Sequence, residues 1–162
     1  MTNSLAAIDE VAVYTAYRRY RPAMLRLGVE LYELSPDRVK SNPATFGKYG
    51  PSLGRLHAEC AVIDRRTVFI GSLNFDPRSD KLNTEFGLFI YGTALADEVL
   101  RLMDHVKVEG SYRLRLSADG HAIEWVMLDR GVERVFSEEP ETDNRKRLML
   151  DLLTPFVPEN LL

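Results

Sequence analysis

The sequence predicts a mixed α/β domain, with α+β as the alternative, and three observations carry that prediction. Apolar residues recur at helical spacing in three segments; elsewhere they alternate or run continuously over strand-length stretches; and Gly, Pro and Asp-Gly signals separate the two kinds. The 162 residues are 45% hydrophobic and 28% charged, which suits one globular core and excludes disorder as the main description.

Residues 11–27 read as the first helix, with Val13, Ala16, Tyr17, Tyr20, Met24 and Leu27 near a 3.6 period. Asp9 is the expected N-cap and Gly28 the expected stop, and Pro22 predicts a kink or a break in mid-run. Residues 29–34 alternate as a half-buried strand does. Residues 35–54 hold three Pro and three Gly and read as a long loop, a length that usually serves a site. Residues 55–63 and Thr67–Gly71 form two strands joined through Asp64, Arg65 and Arg66. An irregular polar stretch, 72–84, leads to a strand over 85–91. A helix over 93–106 follows, then strands at 112–117 and 122–128 around the Asp119-Gly120 turn, a third at Val132–Phe136, and a closing helix at Asn144–Leu153.

Charge and composition exclude several classes. One cysteine, Cys60, leaves no disulfide framework and no Cys-cluster zinc site. Neither a signal peptide nor a spanning helix is present in the sequence given. The net charge of -3 argues against nucleic acid as a partner, but it is unevenly spread. Residues 1–81 hold 12 basic and 9 acidic residues, net +3; the remainder hold 9 and 15, net -6. An anion-binding surface is expected in the first half.

The densest chemistry lies between His57 and Glu85. His57 sits in an otherwise apolar strand, and Gly71-Ser72-Leu73-Asn74 follows the next strand directly. Such a turn offers backbone N–H groups, a hydroxyl and a carboxamide to phosphate oxygens. A neutral imidazole beside it is able to attack phosphorus, if a carboxylate such as Glu85 holds its other nitrogen. Taken alone, these residues favour a core histidine and an ordinary turn.

His57-Ala58-Glu59 with Asp64, then Gly71-Ser72-x-Asn74, resembles the phospholipase D superfamily motif, His-x-Lys-x4-Asp followed by Gly-Ser-x-Asn. The string GSLNFDPRSDKLNTEFGLFI is similar to the second motif of the cardiolipin synthase branch, and the similarity extends from Thr2 through the tail EEPETDNRKRLMLDLLTPFVPENLL. The resemblance implies a phospholipase D-like lobe with a mixed sheet flanked by helices. It also implies that Thr2-Asn3-Ser4-Leu5 ends an interior strand, so that opening strands lie upstream of Met1 and an incomplete sheet exposes an edge. Residues 55–91 form the motif region and 111–162 a C-terminal extension of one domain.

The implied roles are His57 as nucleophile or its general-acid counterpart, Ser72 and Asn74 as phosphate ligands, and Glu85 as the residue that orients the imidazole. Asp64 belongs to the motif as a structural member. The implied cycle passes through a phosphohistidine resolved by an alcohol or water, and it needs no metal or other cofactor. A phospholipid substrate, peripheral contact with the cytoplasmic side of a bacterial inner membrane, and a second lobe from a homodimer mate or partner chain follow from the same resemblance.

Two departures stand against activity. Glu59 occupies the position of the motif lysine, reversing the local charge where phosphate must bind. Loss of one such contact costs about 10²–10³ in rate, and a reversal at least that. Only one motif is present, since His105 and His121 lack its context. The sequence therefore leaves three readings: an impaired phosphatidyltransferase, a homodimeric one-motif phosphodiesterase or nuclease, and a non-catalytic interaction module.

Other residues carry paired readings. Arg18, Arg19, Arg21 and Arg26 read as a solvated helix face in preference to a lipid-headgroup site. Arg78 reads as near substrate or as an ion-pair partner of Asp76 or Asp80. The apolar end of the chain reads equally as a core cap and as a shallow membrane insert.

Overall fold

The computed structural model describes residues 1–8, 11–42, 59–72, 74 and 83–155. The chain divides into two compact units, Met1–Leu56 with Lys107–Val157, and His57–Val106 with Pro158–Leu162.

In the first unit, β1 (Thr2–Asn3) pairs in parallel with β2 (Tyr32–Leu34). Three antiparallel strands continue the sheet: β6 (Ser111–Leu116), β7 (Ile123–Asp129) and β8 (Val132–Phe136), in the order β1-β2-β6-β7-β8. The second unit holds an antiparallel sheet of β3 (Glu59–Ile63), β4 (Thr67–Gly71) and β5 (Gly87–Tyr91), in that order. Both pairing senses occur together with helices, so the fold is mixed α/β, as the patterning predicts. The β6–β7 hairpin turns through Gly120 at φ +74°, and β7 passes to β8 through Arg130 and Gly131, both at positive φ. A two-residue loop with that geometry matches the right-handed twist of the flanking strands.

Helix α1 (Val11–Arg26) runs unbroken through Pro22, where a kink or break is expected from sequence. The helix ends four residues later, so the lost hydrogen bond falls near its last turns, where packing on both sides holds the backbone. Gly28, at φ +84°, stops it: the Gly28 N–H donates to the Leu25 carbonyl (3.1 Å) and the Val29 N–H to that of Met24 (3.0 Å). This pair of bonds satisfies two carbonyls that a helix end otherwise leaves open. The expected N-cap, Asp9, lies outside the described residues.

Three further expectations are corrected. The strand predicted over 29–34 is only Tyr32–Leu34, because Val29 still belongs to the cap of α1. The predicted loop at 35–54 contains a helix, α2 (Pro36–Ser41). Ser35 caps it by accepting from the Arg38 N–H, Pro36 takes the position where a missing N–H costs nothing, and Asp37 sits in the first turn. Proline starts this helix where composition suggests a loop. The helix α3 (Thr93–Gly110) extends four residues beyond its predicted end at 106 and carries the chain from the second unit into the first.

The largest correction concerns Arg21, read from sequence as solvated. Its side chain is 2% exposed. It donates to Glu33 (3.0 Å), Glu139 (3.2 Å) and the Tyr14 hydroxyl (2.9 Å), and its guanidinium lies 5.1–5.6 Å from the ring centres of Tyr14, Tyr17 and Trp125. The Trp125 indole N–H also donates to Glu33, at 2.8 Å. Buried charges persist when paired and bonded in this way. Around them lie two apolar clusters, Leu31, Tyr112, Leu114 and Trp125 in one, Leu5, Tyr14 and Leu150 in the other. Leu150 belongs to α4 (Asn144–Leu153), which is capped by Asp143 and packs along α1. Its inner side therefore caps the core.

Candidate active site in the second unit

The motif residues that the structure describes gather where β3, β4 and β5 share one end. Register places Glu59, Gly71 and Gly87 in one row across the three strands. Ser72 follows Gly71, and Glu85 precedes β5 by two residues. The two strands are tied beyond the row: the Ser72 N–H donates to the Phe86 carbonyl (2.8 Å) and the Phe86 N–H to the Ser72 hydroxyl oxygen (3.1 Å). The Ser72 hydroxyl proton goes to the Glu85 carboxylate, at 2.6 Å.

The row is built around missing side chains. A Cβ on Gly71 would lie 2.6 Å from the Phe86 carbonyl oxygen and 2.7 Å from the Phe69 ring, and one on Gly87 would lie 2.5 Å from the same ring. Phe69 fills this space, packing on Phe89 with ring centres 5.1 Å apart. Only glycine fits both positions, and their close approach sets Ser72 within reach of Glu85. Gly87 and Phe69 are functional positions that sequence reasoning misses. A glycine immediately after an aromatic residue in the β5 run is the one signal available.

The sequence-predicted residues are not all gathered. Ser72, Glu85 and Glu59 share the row end, with Ser72 exposed and both carboxylates half-buried. Asn74 is described and exposed. Asp64 stands in the turn at the opposite end of β3, at φ +50°, a strand length or roughly 16 Å from Glu59. His57 and Arg78 lie outside the described residues, as do Asp76, Asp80 and Lys48. Cys60 neighbours Glu59, and burial pushes its thiol pKa up, which disfavours a thiolate nucleophile. Glu59 and Glu85 bring negative charge to the place where the motif needs to receive phosphate.

No group of three or more metal-ligating side chains occurs among the described residues. A cleft in the first unit, lined among others by Arg18, Arg21, His121, Trp125, Glu139 and Arg147, contains none of the motif residues. Its arginines are committed to carboxylates: Arg18 and Arg21 to Glu139, Arg147 to Glu138. His105 and His121 are exposed, His121 in the β6–β7 turn.

Residues 2–107 match the family described as "Cardiolipin synthase, PLD-like domain". Cardiolipin synthase C of Escherichia coli (strain K12) is 42% identical across 100% of this chain and 34% of that protein. An uncharacterized protein of Helicobacter pylori (strain J99) is 32% identical over 92% of the chain and 28% of its own length. A cardiolipin synthase of Geobacillus sp. (strain WCH70) is 33% identical over 52% of the chain and 14% of its own. The chain thus spans about a third of the first of these relatives and less of the others. No solved structure matches it.

Proposed function

Because the chain belongs to the family of cardiolipin synthase phospholipase D-like domains, we propose that it is the second-motif half of a phosphatidyltransferase site, held down by Glu59. In this reading one lone pair of the His57 imidazole forms a bond to phosphorus, and the bond from phosphorus to the first alcohol's oxygen breaks. The departing oxygen takes its proton from the acid of a second motif, on a homodimer mate or partner chain. A second alcohol, or water, then attacks the phosphohistidine and returns a proton to that same acid. Ser72 and Asn74 hold the phosphate oxygens. Glu85 turns from Ser72 to the imidazole N–H as the Ser72 hydroxyl turns to phosphate. Asp64, a strand length away, holds the hairpin. The 162 residues act as one domain, peripheral to the cytoplasmic face of a bacterial inner membrane; no helix among the described residues is long and apolar enough to cross one.

The observation that supports this reading is the Ser72–Glu85 hydrogen bond in the same row end as Glu59. It keeps the phosphate-binding hydroxyl and its carboxylate together while one position carries the wrong charge. The experiment compares the chain with its Glu59→Lys variant for transfer of the phosphatidyl group from detergent-dispersed phosphatidylglycerol, and for acid-labile phosphohistidine. The variant should be faster by at least about 10²-fold. Equal rates overturn the role given to Glu59. The same carboxylate favours a second reading, a non-catalytic module, for which the variant folds stably and traps no phosphohistidine.

A further inference from the structure

Helix α4 has two apolar sides. The inner one, at Leu150, is 1% exposed and packs with Leu5 and Tyr14. The outer one is formed by Arg145, Leu148, Met149 and Leu152, whose spacing of three, four and seven residues places them on one helix face. Leu148, Met149 and Leu152 are 61%, 51% and 62% exposed. Other charges of this helix are drawn toward the fold. Asp151 is taken by Arg18, Arg147 by Glu138 and the Glu139 carbonyl, and the Lys146 ammonium donates to the Ile8 carbonyl at 3.0 Å. Of the four outward residues, three are apolar, the fourth is a cation, and none is acidic. The helix also lies outside the 2–107 span matched by the family.

We propose that this outer face of α4 is the surface by which the chain docks on an anionic bilayer. It rests on the reading of the chain as acting on phospholipid, and it names the face that meets the lipid. The chemistry is that of an interfacial helix: Leu148, Met149 and Leu152 enter the boundary between headgroups and acyl chains, and Arg145 extends to lipid phosphate. A second protein surface would satisfy the leucines equally well, but the absence of acidic residues beside Arg145 selects an anionic layer. Three side chains give weak, reversible attachment, strengthened by the cation at low salt. The inner contacts through Leu150, Lys146 and Arg147 hold the helix in place, so the outer leucines are replaceable without loss of the fold.

The test is co-sedimentation of the full chain with vesicles of mixed phosphatidylglycerol and phosphatidylcholine, against phosphatidylcholine alone. Wild type should pellet with the anionic vesicles. A Leu148→Ser, Leu152→Ser double variant should bind at least about tenfold more weakly, and Arg145→Glu should lose the preference for anionic lipid. Val132→Ser, at a residue 65% exposed on β8, should bind as wild type does. Wild-type binding by the double variant overturns the proposal, as does equal weakening by Val132→Ser or failure of wild type to bind either vesicle. A concentration-dependent dimer that the double variant dissociates, without vesicle binding, overturns it in favour of a second copy. Transfer from detergent-dispersed lipid by the Glu59→Lys chain needs no vesicle. Its failure while vesicle docking persists therefore refutes the enzymatic reading and leaves the docking face standing.

Discussion

The Arg21 guanidinium meets the Glu33 carboxylate at 3.0 Å, with 2% and 0% of the two side chains exposed. Neither charge has solvent to turn to, so each depends on the other and on the ring of donors around them.

Replacing Arg21 by Met should cost about 3–5 kcal/mol, because it strands Glu33 and Glu139 without their cation. Urea denaturation followed by Trp125 fluorescence reads this directly, since the indole N–H is bonded to Glu33. A loss under about 1 kcal/mol would show that the pair is not structural.

The same burial sets a pH dependence. Desolvation holds the Glu33 carboxyl above the ordinary glutamate range, against the pull of Arg21. The folded chain then binds this proton more tightly than the unfolded chain does. The contribution is complete below the ordinary glutamate range and is lost as pH rises through the raised value. On acidification from neutral pH, the difference in urea midpoint between wild type and Glu33→Gln should move in favour of wild type. A flat difference, or the opposite slope, contradicts this sign.

Gly87→Ala should disturb the site without touching any polar group. The new methyl meets the Phe69 ring at 2.5 Å, and overpacking of this kind costs about 1–3 kcal/mol. Amide exchange in β4 and β5 should accelerate, and in the Glu59→Lys background any transfer activity should fall. Unchanged exchange would mean that Phe69 moves aside freely.

Arg65 holds a left-handed conformation, φ +54°, in the β3–β4 turn. Its only described ion pair is with Asp97 at 3.7 Å, and both side chains are more than half exposed. Arg65→Gly should therefore stabilise the hairpin by up to about 1 kcal/mol, since the strain removed exceeds a solvated pair. Slower exchange of the β3 and β4 amides is the expected result; faster exchange would place the value in the arginine side chain.

Where periodicity decides, the fold was legible. Val13, Tyr17, Tyr20 and Met24 marked α1, Gly28 its end, and Asn144–Leu153 the closing helix. Arg21 was not legible, because a pattern of apolar positions counts arginine as solvent-facing. Its burial depends on Glu33, Trp125 and Glu139, the last 118 residues away. Helix α2 was hidden by composition, since Ser35-Pro36-Asp37 reads as loop until the helix geometry gives proline its place. In the site, Ser72 and Glu85 were both named from the motif, but their mutual hydrogen bond was not foreseen. Phe69 and Gly87 escaped because their importance lies in a space filled across strands.

Glu59 begins β3 opposite Gly71, where the partner strand has no side chain to be matched to it. The row that frames this position is closed by Phe69 and by backbone, which are indifferent to the charge at residue 59. Glutamate and lysine codons differ only in their first base. A single transition therefore separates this sequence from the full motif, with no compensating change in the hairpin. The scaffold is mutationally adjacent to the lysine form, so a reversion screen that selects for restored phosphatidyl transfer need search only one codon.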